Sequence, residues 1–155
     1  MTTMKEKKQL SVSAIKNGTV IDHIPAQSLF KVIQILNLEH IRDQITFGAN
    51  FESEKLGKKA LIKLSNQFFR DIDINKIALV APQAKLNIIK NYEVVEKKVV
   101  EVPNEITGIA KCMNPQCITN NEEIVTRFTV ISKENVALKC RYCERITDQE
   151  HLVIL

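Results

Sequence analysis

Four cysteines, all in the last third of the chain, constrain the fold more than any other feature. Cys112-x4-Cys117 is followed by 22 residues and then by Cys140-x2-Cys143. Asn114-Pro115 lies inside the first pair and Arg141-Tyr142 inside the second, so each pair is set on a tight turn. Two turns that each present two thiolates give a tetrahedral S₄ set, which suits Zn²⁺. Four thiolates leave no open position for water or substrate, so the expected ion is structural, one per chain. Four unrelated buried thiols would not be paired at both ends. A redox Cys-x-x-Cys at Cys140 and Cys143 lacks the surrounding βαβ pattern. A tail of about 55 residues builds only a weak core, and a metal staple supplies what it lacks.

The remaining composition is that of a globular protein. Of 155 residues, 45% are hydrophobic and 26% charged, which excludes disorder as the default. No apolar run approaches the roughly 20 residues of a membrane-spanning helix. The first eight residues carry charge without an apolar stretch after them, so the sequence predicts no secretory signal and a cytoplasmic protein. Charge is uneven. Residues 1–100 hold 16 Lys+Arg against 10 Asp+Glu, a net of +6, and residues 101–155 hold 6 against 8, a net of −2. The basic part is not the cysteine part.

Periodicity divides the basic part into short elements. Residues 10–15 and 20–24 read as strands separated by the turn signal Asn17-Gly18. Leu29, Val32, Ile33 and Leu36 form a stripe at helical spacing after Pro25. Ile45, Phe47, Ala49 and Phe51 alternate along a strand, and Ala60, Ile62 and Leu64 along another. Asp71 or Asp73 is placed to cap a helix that Pro82 ends. Residues 84–89 and 92–97 read as two more strands. The order predicts an α+β fold: a ferredoxin-like antiparallel sheet with two helices on one face, plus a small all-β C-terminal zinc domain with strands at 123–131, 135–139 and 151–155. Val99-Val-Glu-Val-Pro-Asn104 marks the expected boundary, giving domains 1–100 and 101–155.

Lys59, Lys63, Lys85 and Asn87 fall opposite the apolar positions, on the sheet face left open. Lys63 and Lys97 are expected on strands able to neighbour each other, with Asp22-His23 at the end of an early strand. There is no phosphate-binding glycine loop, so an anionic ligand must be held by lysines and backbone amides. There is also no Gly-x-Ser-x-Gly, no His-Glu-x-x-His and no open metal site, which argues against a stand-alone enzyme. A zinc-ribbon nucleic-acid binder is the alternative, but such modules carry positive charge near the metal, and two tyrosines with no tryptophan offer little stacking surface.

Several stretches together resemble one family: Gly18-Thr-Val-Ile-Asp-His-Ile-Pro-Ala-Gln27, Lys59-Ala-Leu-Ile-Lys63, Ala81-Pro-Gln-Ala84, Asn91-Tyr-Glu-Val-Val95, Cys112-x-Asn-Pro-x-Cys117 and Ala137-Leu-Lys-Cys-x-Tyr-Cys-Glu144. The family is the regulatory chain of bacterial and archaeal aspartate carbamoyltransferase, and the resemblance spans essentially the whole chain. It implies a non-catalytic subunit of pyrimidine biosynthesis, with an N-terminal allosteric domain that binds CTP, UTP or ATP. It implies that the zinc domain docks on the catalytic chain, and that regulatory dimers join two catalytic trimers. No nucleic acid and no membrane enter this picture. Carried over by residue, the metal ligands are Cys112, Cys117, Cys140 and Cys143. The nucleotide site is Ala14, Ile15, Asp22, His23, Lys63, Asn87, Tyr92, Val94 and Lys97, with Lys63 at the base, Asp22 at the ribose, and Lys97 and His23 at the phosphates. Ser13 stands where an acidic residue is common, Glu96 where a small one is familiar, and Lys5, Lys7 and Lys8 make the arm unusually basic.

Overall fold

A computed structural model describes residues 14–155. Residues 10–13 of the first expected strand, Ser13 and the basic arm lie outside them, and Ala14 and Ile15 are irregular. The chain separates into two compact units. Of the described residues, one comprises 14–29 with Ile41–Phe69 and Ala84–Val99; the other comprises Phe30–His40, Arg70–Gln83 and Val100–Leu155.

The first unit is built on a five-stranded sheet of β1 (Gly18–Pro25), β2 (Ile45–Ser53), β3 (Gly57–Ser65), β4 (Lys85–Lys90) and β5 (Glu93–Val99). Its order is β2-β3-β1-β4-β5, and every neighbouring pair is antiparallel. The first four strands stand in the order that a βαββαβ chain produces, and β5 extends the edge as a hairpin. One sheet face is apolar because period-2 alternation sends Ile21, Ala60, Ile62, Leu64, Leu86 and Ile88 to the same side, where all are buried. Thr19 is also buried there, its hydroxyl donating to the Gln67 carbonyl at 2.6 Å.

Two irregularities shape the other face. In β1 the pairing with β3 shifts between Ile21 and Ile24, and His23 adopts φ 60°. This bulge inserts one residue, so Ile24 returns to the buried side while Asp22 and His23 remain together on the accessible side. Between β4 and β5, Asn91 and Tyr92 both have positive φ, 51° and 66°, as a two-residue type I′ hairpin demands. Tyr92 is therefore a turn residue rather than the first residue of a strand. In β2 the expected alternation breaks at a second bulge, between Gly48 and Phe51, with Asn50 at φ 66°. Phe51 is thereby paired with Lys59, while Phe47, before the bulge, keeps its place beside Ile62 and is exposed because β2 is an edge strand.

After β1, Ala26–Ser28 leads as a 3₁₀ turn into α1 (Leu29–Ile35), whose residues from Phe30 belong to the second unit; there α2 (Asp71–Lys76) continues as a 3₁₀ turn through Leu79. Arg70, not Asp71 or Asp73, occupies the N-cap of α2. Asp73 instead sits in the first turn and pairs with Arg70 at 3.0 Å and Lys76 at 3.4 Å. The remaining strands are β6 (Glu105–Thr107), β7 (Ala110–Lys111), β8 (Arg127–Ser132), β9 (Ala137–Cys140), β10 (Ile146–Asp148) and β11 (Val153–Ile154). They form a four-stranded sheet β10-β9-β8-β6 and a β11-β7 pair, with Phe128, Leu138 and Val136 buried. This part is not purely β: α3 (Ile118–Asn121) follows the second cysteine. Residues 123–126 are irregular, so β8 starts four residues later than alternation suggests.

Candidate functional site

The first cysteine pair sits on a turn held by side-chain amides. The Cys117 N–H donates to the Asn114 carbonyl at 3.0 Å. The Asn120 amide donates to the carbonyls of Cys112 and Asn114, and Asn121 to those of Pro115 and Cys117, at 2.7–3.1 Å. Thus α3 is a clasp for the turn as well as a connection. Asn120 and Asn121 escaped the sequence reading, although an Asn-Asn pair just past a cysteine turn is the available signal. In the second pair Cys140 ends β9 and Cys143 lies on the turn that leads to β10. The Cys140 N–H donates to the Arg145 carbonyl and the Glu144 N–H to the Cys140 carbonyl, with Glu144 at φ 65°.

The two turns bring all four sulfurs within 4.8 Å of one another. Cys112 Sγ lies 3.6 Å from Cys143 Sγ, and Cys117 Sγ 3.7 Å from Cys140 Sγ. A disulfide needs about 2.05 Å. A tetrahedron of sulfurs around Zn²⁺, with bonds of about 2.3 Å, has edges of about 3.8 Å. The donor set and its spacing therefore fit zinc. Burial pushes the Cys112 thiol up to about 12 and raises that of Cys140. Burial also acts on Cys143, but it is outweighed by donation from the Arg145 N–H, the Asn114 side chain and the neighbouring cysteines. The result holds Cys143 at about 7.

The sheet's accessible face carries a groove of about 410 Å³ lined by Asp22, His23, Lys85, Asn87, Lys97, Lys98 and Val99. Four of the nine residues carried over from the family line it: Asp22, His23, Asn87 and Lys97. Lys63 joins them through the register. Lys63 pairs with Val20, Val20 with Asn87 and Asn87 with Lys97, so the four stand in one row across the sheet. Lys63 and Lys97 are thus not on neighbouring strands, as expected; β1 and β4 lie between them. Burial lowers the Lys63 ammonium below its ordinary range. Asp22 pairs with Lys59 Nζ at 3.0 Å and accepts from the His23 N–H at 2.7 Å. The His23 Nδ1 is buried without a hydrogen bond and lies 3.6 Å from Asp22 Oδ2.

Tyr92 and Val94 lie at the other end of the strands. The Tyr92 N–H donates to the Lys16 carbonyl at 2.9 Å and the Asn91 N–H to Asn17 Oδ1 at 3.1 Å, which ties the segment after Ala14 and Ile15 to the β4–β5 turn. Tyr92 is exposed. Gly18 to Asp22, four residues of β1, spans about 13 Å between the two ends.

Comparison with known sequences is consistent along the chain. Residues 10–101 match the profile of the allosteric domain of the aspartate carbamoyltransferase regulatory chain, and residues 104–153 match that of its metal binding domain. The chain is 56% identical over 153 residues to the protein named aspartate carbamoyltransferase regulatory chain from Bacteroides thetaiotaomicron, covering 98% of this chain and all of the relative. It is 53% identical over its full length to the protein of that name from Phocaeicola vulgatus, again covering all of the relative. It is 51% identical over 147 residues to that of Pyrococcus horikoshii, covering 94% of this chain and 97% of the relative.

Proposed function

From the premise that the chain belongs to the aspartate carbamoyltransferase regulatory chain family, we propose that its basic groove is the effector site, occupied by CTP, UTP or ATP. The chain is a non-catalytic regulatory subunit with an allosteric and a metal-binding domain, and its partner is the catalytic chain. The proposed division is residues 1–100 for nucleotide and 101–155 for metal and docking. The proposed assembly joins two catalytic trimers through regulatory dimers paired by their N-terminal domains, in the cytoplasm and without nucleic acid. Among the described residues, no helix is long and apolar enough to cross a membrane.

One observation carries the nucleotide reading: the row Lys63, Val20, Asn87, Lys97 across the accessible face, with Asp22 and His23 at the groove beside it. The base is assigned to Lys63 with Tyr92, Val94 and the Ala14–Ile15 backbone, and the ribose to Asp22. The phosphates are assigned to Lys97 and His23. Cys112, Cys117, Cys140 and Cys143 hold one structural Zn²⁺, which supplies a rigid cross-link and no chemistry.

A nucleotide changes the catalytic chain's response only by binding two states of the assembly unequally, and couplings of about 1–3 kcal/mol are typical. CTP and ATP would share the phosphate contacts, so any difference in effect must come from the base end. The test is co-purification with the catalytic chain, followed by aspartate saturation curves with and without each nucleotide. Shifted curves support the reading. Identical curves with all three nucleotides, in a complex that forms normally, refute it.

A further inference from the structure

We propose that Thr119 is a positioning residue of the metal centre, whose hydroxyl holds the Cys117 thiolate by a hydrogen bond and sets how tightly the chain retains its ion. This rests on the assignment of one structural Zn²⁺ to the four cysteines and is independent of the nucleotide reading. Thr119 Oγ1 lies 3.1 Å from Cys117 Sγ. A thiolate bound to zinc carries no proton, so the hydroxyl is the donor. The placement follows from the local fold. Cys117 is the N-cap of α3, and Thr119 stands in the first turn of that helix. The next two residues, Asn120 and Asn121, donate to carbonyls of the cysteine turn. The helix α3 therefore turns three consecutive side chains back onto the site.

Charge gives this contact its weight. Four thiolates and one divalent ion leave an excess of negative charge where Cys112, Cys117 and Cys140 are buried. A buried charge is costly unless hydrogen bonds meet it. Backbone groups meet it at three sulfurs: the Asn114 N–H at Cys112, the Tyr142 N–H at Cys140 at 3.4 Å, and the Arg145 N–H at Cys143. Any residue but proline at those positions would supply the same donors. At Cys117 the donor is a side-chain hydroxyl, so this contact depends on which residue stands there. Groups that hydrogen-bond to metal ligands orient them and tune the metal. Retention of the ion matters because the metal domain is the part proposed to dock on the catalytic chain.

The experiment compares the full-length native chain with Thr119→Val, an isostere without the hydroxyl, and Thr119→Ser, which keeps it. Competition for zinc against a chromogenic chelator at fixed pH reads affinity. Thr119→Val is expected to weaken zinc by about tenfold or more, and Thr119→Ser by less than about threefold. Loading with Co²⁺ gives the second readout. Losing the hydrogen bond raises the energy of the sulfur electrons, so the thiolate-to-cobalt charge-transfer band is expected to move to longer wavelength in Thr119→Val alone. Loosened packing would not move that band. Equal affinity in all three chains, equal losses in both variants, or a loss with an unmoved band overturns the inference while leaving the metal site standing. If the native chain binds neither zinc nor cobalt, the metal assignment itself fails, and the role of Thr119 with it.

Discussion

Lys63 and Lys97 lie two strands apart and yet stand in one row, because Val20 and Asn87 each pair on both sides. A charge removed from either end of that row is felt by a ligand lying across it. Lys97→Ala is expected to weaken nucleotide binding by about 1.5–3 kcal/mol, the range for hydrogen bonds to charged groups. Lys63→Ala is expected to weaken it similarly, and co-purification with the catalytic chain should be unchanged in both. Calorimetry on each variant checks this. Native-like affinity in both would remove the row from the effector site.

Gly18 holds the start of β1 against β3 more closely than any side chain allows. A Cβ there would stand 1.9 Å from the Leu64 carbonyl oxygen, and φ is +145°. Gly18→Ala must therefore push β1 off β3 next to the buried Thr19. A destabilisation on the order of 3 kcal/mol is expected, at the upper end for forced overpacking. Denaturant unfolding measures it, and a midpoint within error of the native chain would contradict the close approach.

What could be read in advance followed from side chains whose pattern has one meaning. Cysteine pairs on turns found the metal cluster, and period-2 alternation found β1, β3 and β4. The misses have separate causes. A bulge adds one residue to one strand without changing composition, so neither the His23 bulge nor the one between Gly48 and Phe51 shows in alternation. Tyr92 was misplaced because β-propensity favours tyrosine in strands, while hairpin geometry required positive φ at two positions. The separation of Lys63 from Lys97 depended on strand order, which no local pattern encodes.

The sulfur cluster should decide whether the second sheet exists. Cys140 ends β9 and anchors the hairpin to β10, while Cys112 and Cys117 hold the α3 clasp. Structural zinc contributes about 10–16 kcal/mol to folding in small zinc peptides, more than a core of this size supplies. Cys140→Ser, or chelation of the native chain, is expected to abolish docking to the catalytic chain and to reduce the far-ultraviolet signal of β8–β10. Gel filtration with the catalytic chain and circular dichroism read both. A metal-free chain that still docks would show that the cluster is dispensable.

Asp148 and His151 give the second unit a titration that can be followed directly. Asp148 Oδ1 lies 2.6 Å from His151 Nδ1 and also accepts from the His151 N–H at 2.9 Å. That hydrogen bond, with the carboxylate's charge, raises His151 above its ordinary 6.5, and the same contact lowers Asp148 below 3.8. A raised histidine contributes stability that is fully present below its unfolded value and is lost as pH rises through the folded one. Both side chains are exposed, so the shift itself is the better measure. In Asp148→Asn the His151 midpoint is expected to fall toward 6.5, read from the ring-proton resonances across pH 5–9. A midpoint already at 6.5 in the native chain would mean that the pair does not form in solution.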